Sequence, residues 1–127
     1  MKLYFENFIK EDASGHLHPV PSDFSFNVVP GVIRDLKKLG LLEEDLKDLE
    51  NHIKSTIPKS HIGYGIHKAE WWPNRFNQGK KEARVIYIEI TLKSAVWIVK
   101  IYKKNQQKDV SKKELAKIIQ VAKKLKE

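Results

Sequence analysis

Cysteine is missing from all 127 residues of this chain. That absence excludes a disulfide framework, a thiolate zinc site and a cysteine nucleophile together, and it fits a cytoplasmic protein. Long apolar runs are missing as well. No stretch approaches the ~20 apolar residues that a membrane-spanning helix requires, so no membrane partner is expected. The opening residues MKLYFENFIKEDASG carry only Lys2 ahead of the acids and no continuous apolar run, so no signal peptide is expected. There is no phosphate-cradling GxxxxGK followed by Ser or Thr, no HExxH and no nucleophile elbow. Gly63 and Gly65, one residue apart, are too short a signal for nucleotide binding. Internal repeats and low-complexity tracts are also lacking.

Acids are in the minority. Sixteen Asp and Glu stand against 24 Lys and Arg, a net charge of +8. Such a chain attracts polyanions. The same surplus also describes a solvated lysine-rich surface, and charge alone leaves both readings open. With 41% hydrophobic residues, the chain is an ordinary globular one, long enough for a single core and too short for two.

Residues 1–23 read as an N-terminal extension to a domain over 24–127. Residues 2–10 alternate as a strand does, followed by turn chemistry at Asp12-Ala13-Ser14-Gly15 and an extended Pro19-Val20-Pro21. A strand over 24–29 would pair with the first as a hairpin. Pro30 sits at a first helical position, and Val32, Ile33, Leu36 and Leu39 recur at helix spacing until Gly40 stops them. A second helix is expected over 43–57, striped by Leu46, Leu49, Ile53 and Ile57 and ended by Pro58. Its short link to the first predicts an antiparallel pair.

After Pro58 the period shifts to that of strands. Ile62 to Trp71 reads as a loop entering a strand, and 72–81 as a loop rich in cationic and amide side chains. Strands are expected over 83–90 and 95–102. Ser111-Lys112-Lys113-Glu114 is a capping box opening a helix with Leu115, Ile118, Ile119, Ala122 and Leu125 on one face. The expected fold is α+β: two N-terminal helices packed on a small antiparallel β-sheet, then a C-terminal helix. The helices lie on one face, leaving the other for function.

Strict alternation along the last strand puts Trp97, Val99 and Ile101 on one face and Ile98, Lys100 and Tyr102 on the other. An antiparallel hairpin brings Arg84, at the start of one strand, to the end of the next. Arg84, Lys100, Tyr102 and Lys104 then converge as cationic and phenolic groups suited to a phosphate backbone. The alternative is an ordinary charged strand end beside a core aromatic with a wet tip; a strand-end arginine is expected to contribute little to the core. His16 and His18 have the spacing of a metal pair but no convincing partner, which favours incidental histidines in a turn. His67 titrates in the useful range and is a catalytic candidate.

Three segments carry a resemblance: Gly65-Ile66-His67-Lys68-Ala69-Glu70-Trp71, Gly79-Lys80-Lys81-Glu82-Ala83-Arg84-Val85-Ile86-Tyr87, and Val99 to Asn105 with Asp109-Val110-Ser111. From about residue 24 onward the chain resembles the RelE/HigB toxins of type II toxin–antitoxin systems. The resemblance makes 24–127 a RelE-like toxin domain. It implies a cytoplasmic, ribosome-dependent mRNA endonuclease that needs no metal and no cofactor. Its partners would be mRNA, the ribosome and a cognate antitoxin that silences it. In such enzymes the ribose 2′-OH attacks its own 3′-phosphate. Lys68, Arg84, Tyr102 and Lys104 are then the catalytic candidates, and Arg75, Lys80, Lys81, Lys100 and Lys103 the RNA-binding ones. Glu70 departs from the pattern, standing where a second basic residue is common, and Glu82-Ala83 replaces paired glycines. These departures keep open a non-catalytic member: a ParE-like gyrase inhibitor, or an RNA- or protein-binding module.

Overall fold

The computed structural model describes residues 17–76, 80–107 and 109–127. The strand expected over 2–10, the turn after it and His16 lie outside the described residues. Strand β1 (Ser25–Val28) leads into helices α1 (Pro30–Lys38) and α2 (Asp45–Ser55). Strands β2 (Ser60–Gly63), β3 (Ile66–Trp71), β4 (Ala83–Ile90) and β5 (Ala95–Lys103) follow, and α3 (Lys112–Lys126) closes the chain.

The helix signals act as the sequence predicts. Pro30 occupies the first turn of α1, where a missing N–H costs no hydrogen bond. At the other end Gly40 takes φ 75°. Its N–H donates to Lys37 O at 3.1 Å, and that of Leu41 to Leu36 O at 2.9 Å. This paired closure satisfies two orphan carbonyls and buries Leu41 beside Leu36. Ser111 caps α3 by accepting from the Glu114 N–H, while Glu114 reaches back to the Ser111 N–H.

The sheet corrects the expected fold. It has five strands in the order β1-β5-β4-β3-β2. It is mixed, because β1 runs parallel to β5 while the other pairings are antiparallel. A strand therefore precedes the helix pair and takes its place at the sheet's edge. The helices also lie on both faces. Val32, Leu36, Leu49 and Ile53 of α1 and α2 pack on Ala69, Val85, Tyr87 and Ile98. Leu115, Ile118 and Ala122 of α3 pack on Ile62, Ile66, Ile86 and Ile88 of the opposite face. All eight residues of β4 are buried as a result, as befits a central strand covered twice. No face is left free along its whole length. Val20, within the expected extension, is buried in the first cluster and donates its N–H to Ile53 O at 2.9 Å.

Alternation along β5 fails at one point. Ile86 pairs with Lys100 but Tyr87 with Ile98, so Val99 is an extra residue on β5. Such a bulge shifts every later side chain by one face. Ile98 and Ile101 consequently both pack under the helix pair, whereas Trp97, Val99 and Tyr102 belong to the α3 side. The grouping of Ile101 with Trp97 and Val99 is thereby corrected.

Candidate nucleic-acid interface

Two register rows cross the α3 face near one end of the sheet. One runs Ser60–Lys68–Ile86–Lys100, the next Glu70–Arg84–Tyr102. Lys100 Nζ reaches Glu114 Oε2 at 2.9 Å in the first turn of α3, so these rows lie by that helix's N-terminal end. Arg84 and Tyr102 face each other across β4 and β5, with Lys68 one row behind. Lys104 follows β5 directly, its backbone N–H donating to Glu82 O at 2.9 Å, and its side chain is exposed. The expected convergence of Arg84, Lys100 and Tyr102 is therefore present at backbone level, with Lys104 at the rim.

The cations are not bare. Arg84, only 5% exposed, holds Glu70 Oε2 with Nη2 at 2.7 Å and donates Nη1 to Lys81 O at 3.2 Å. An arginine so engaged is part of the packing. The idea that this strand-end arginine contributes little to the core is corrected, since its guanidinium is buried and bonded to both Glu70 and the Lys81 carbonyl. Lys68 Nζ lies 3.8 Å from Asp109 Oδ1, an ion pair. Burial lowers the Lys68 pKa and Asp109 opposes that shift; burial likewise raises the Asp109 carboxyl, with Lys68 pulling it back. The positive charges of Lys59 and Arg84 add to the lowering at Lys68, so burial and like charges together prevail there over Asp109.

Tyr102, also 5% exposed, has its hydroxyl buried without a hydrogen-bond partner among the described residues. Burial and then the charge of Asp109 push its pKa up, so it is a phenol with a proton to donate. Native structures satisfy most buried polar atoms, so the Tyr102 hydroxyl is one of the few left over among the described residues.

The outer candidates fall into two groups. Lys80 and Lys81 are exposed, and Lys80 stands 3.8 Å from Glu82. Lys103 lies 4.0 Å from the other oxygen of Glu82 and 5.4 Å from the centre of the Trp72 ring. These sit at the same sheet end and are open to solvent contact. Arg75 is different. It grips Asp45 through Nε at 2.7 Å and Nη2 at 2.9 Å, and lies 4.0 Å over the Phe76 ring. Asp48 takes the Trp71 Nε1–H and the Asn74 N–H, each at 2.9 Å. Arg75 thus staples its loop to α2, and its planar fork is already used.

His67 lies on the other face, stacked between His61 and Tyr87 at 4.5 and 5.2 Å. Burial and two neighbouring histidines lower its pKa to about 3, so it is neutral at physiological pH and remote from Arg84. His18 lies 4.0 Å from Glu89, and no group of three or more His, Asp or Glu among the described residues could hold a metal ion. The glycines of the β2–β3 turn are needed for its backbone: a Cβ on Gly65 (φ 78°) would come within 2.6 Å of Glu89 O.

Sequence reasoning did not assign the acids their role. Glu70, Asp109 and Glu114 each hold one of the predicted cations. Glu114 was visible only as a capping residue, and Glu70 only as a departure from a pattern. No helix among the described residues is long and apolar enough to cross a membrane. Among known proteins, no family model matches the chain and no curated protein matches it.

Proposed function

We propose that this chain is the toxin of a type II toxin–antitoxin system, a ribosome-dependent mRNA endonuclease held in check by a cognate antitoxin. One observation carries the reading: Arg84 and Tyr102 are register partners on one face, with Lys68 beside them and Lys104 at the rim. In the reaction, the ribose 2′-oxygen bonds to the adjacent phosphorus and the bond from phosphorus to the 5′-oxygen breaks. The proton leaves the 2′-OH and one is delivered to the departing 5′-oxygen. Arg84 and Lys104 meet the charge that grows on the nonbridging oxygens. Lys68, its pKa lowered by burial, moves a proton, and the Tyr102 phenol orients the nucleotide. The site lies in the cytoplasm, where mRNA and ribosomes are met.

The test is induction in a heterologous bacterium with mapping of mRNA 5′ ends, then cleavage on purified ribosomes. Arg84→Lys keeps the charge but loses the bidentate fork. It should cut cleavage ~10²–10³-fold, as loss of one preplaced donor typically does, in a variant whose thermal melt shows that it is folded. Full cleavage by the folded variant would remove Arg84 from the mechanism. Pairing of Arg84, Lys68 and Lys100 with acids of the same chain favours a second reading, a binding module without chemistry. RNA binding with no new 5′ ends would select it.

A further inference from the structure

Glu70 sits among three cations. Its Oε2 is 2.7 Å from Arg84 Nη2 and 3.4 Å from Lys59 Nζ, and Lys81 lines the same cleft. The cleft exists because β2 begins only at Ser60, opposite Lys68. Beyond that point α2 replaces a strand beside β3, and His52 Nε2 donates to Glu70 O at 2.7 Å. His52, Thr56, Lys59, Glu70 and Lys81 line the opening. Burial pushes that carboxyl up, but Arg84 and Lys59 outweigh it and hold its pKa below the ordinary value.

We propose that the cleft is a phosphate seat which the chain fills with its own carboxylate. Glu70 occupies the place between Arg84, Lys59 and Lys81 that a backbone phosphate of bound RNA takes, and RNA affinity is set by how readily Glu70 gives way. This rests on the RNA-directed reading of the same site. Three arguments lead here. A carboxylate and a phosphodiester each offer an anionic oxygen to an arginine N–H, as Glu70 Oε2 does to Arg84 Nη2, and carry the same single charge, so exchanging them keeps the local balance. Arg84 is buried, and a buried guanidinium needs an anion whether or not ligand is present. Glu70 is the partner able to leave: its side chain is 30% exposed against 6% for Arg84, so a rotation takes it to water. Lys59 and Lys81, with Arg84, leave the cleft an excess of positive charge over that one carboxylate.

The test compares the full chain with Glu70→Gln, reading binding of a short 2′-O-methyl RNA, which lacks the attacking hydroxyl, and of inorganic phosphate. Glu70→Gln should tighten RNA binding about tenfold or more, the scale of one charge-assisted contact. Adding Lys59→Ala and Lys81→Ala should abolish that gain. Glu44→Gln, an equal change of charge at an exposed position, should give none. A gain for RNA alone identifies a backbone phosphate; a gain for phosphate alone identifies a small-anion site and overturns the RNA assignment. Thermal melts check folding, and Glu70→Asp, which withdraws the carboxylate by one methylene, should show a smaller gain if Glu70→Gln does not fold. Unchanged affinity in every folded Glu70 variant, or a gain that survives loss of both lysines, overturns the seat. Neither probe involves the ribosome. A gain without ribosomal cleavage leaves the seat standing and removes the enzyme, whereas cleavage without a gain does the reverse.

Discussion

Tyr102 is a residue whose chemistry and stability point in opposite directions. Its hydroxyl is buried with no hydrogen-bond partner among the described residues, and such a group costs about 1–3 kcal/mol. Tyr102→Phe removes the cost and keeps the ring among Val110 and Leu115. The variant should melt at the same or a higher temperature and cleave RNA more slowly, by about tenfold if one neutral hydrogen bond is lost. A lower melting temperature would mean the phenol has a partner in the free protein and a purely structural role. His67 gives a second expectation, on pH. Its folded pKa, about 3, lies below the ordinary 6.5, so the unfolded chain takes up the proton first. The stability tied to His67 is therefore complete above pH 6.5 and drains as pH falls toward 3, by about 1.4 kcal/mol per unit. The groups around it are His18, His61, Tyr87 and Glu89. Glu89, raised by burial, has the opposite sign and gains stability as pH falls toward its ordinary range. His67→Phe should flatten the acid limb of a melting curve between pH 6.5 and 4.5. An acid limb of unchanged slope would show that other groups carry it.

At the level of elements, local signals survived folding and long-range ones did not. Pro30, Gly40 and the Ser111 box act on their own neighbours, so their positions follow from the chain itself. The uninterrupted apolar run in β4 held a signal that alternation alone misses: strands buried on both faces lack polar positions, and Val85 to Ile88 has none. That run already required cover on both faces. The parallel pairing of β1 with β5 joins residues about seventy apart, and nothing local specifies it. The Val99 bulge is likewise invisible to a two-residue period, yet it carries Tyr102 to the α3 face beside Arg84. The cap of α3 then doubles as a support for the site, since Glu114 bonds the Ser111 N–H and also holds Lys100. Ser111→Ala should lower stability by about 1 kcal/mol, the usual worth of such a cap. Restoring the melt by added RNA would show that the helix start and the binding face are linked; a variant with parental stability would mean the cap is redundant.

Over the whole molecule the charge is +8, and it is not gathered at one place. Lys117 and Lys124 are exposed on α3, as Lys80 and Lys104 are at the sheet end. A field of this kind draws in any polyanion, so affinity alone says little about where RNA runs. Salt dependence separates a path from a field. Each phosphate neutralised on a single strand contributes about 0.7 to the slope of log affinity against log salt. Replacing Lys80 and Lys104 together with Gln should reduce the slope for a short single-stranded RNA by about 1.4, the share of two phosphates. Replacing Lys117 and Lys124 alters net charge by the same amount and should leave the slope near its parental value. If both pairs shift it equally, the protein holds RNA by diffuse attraction, and the sheet end has no privileged claim. If only the first pair does, the strand on which Arg84 and Tyr102 act enters across the rim formed by Lys80 and Lys104.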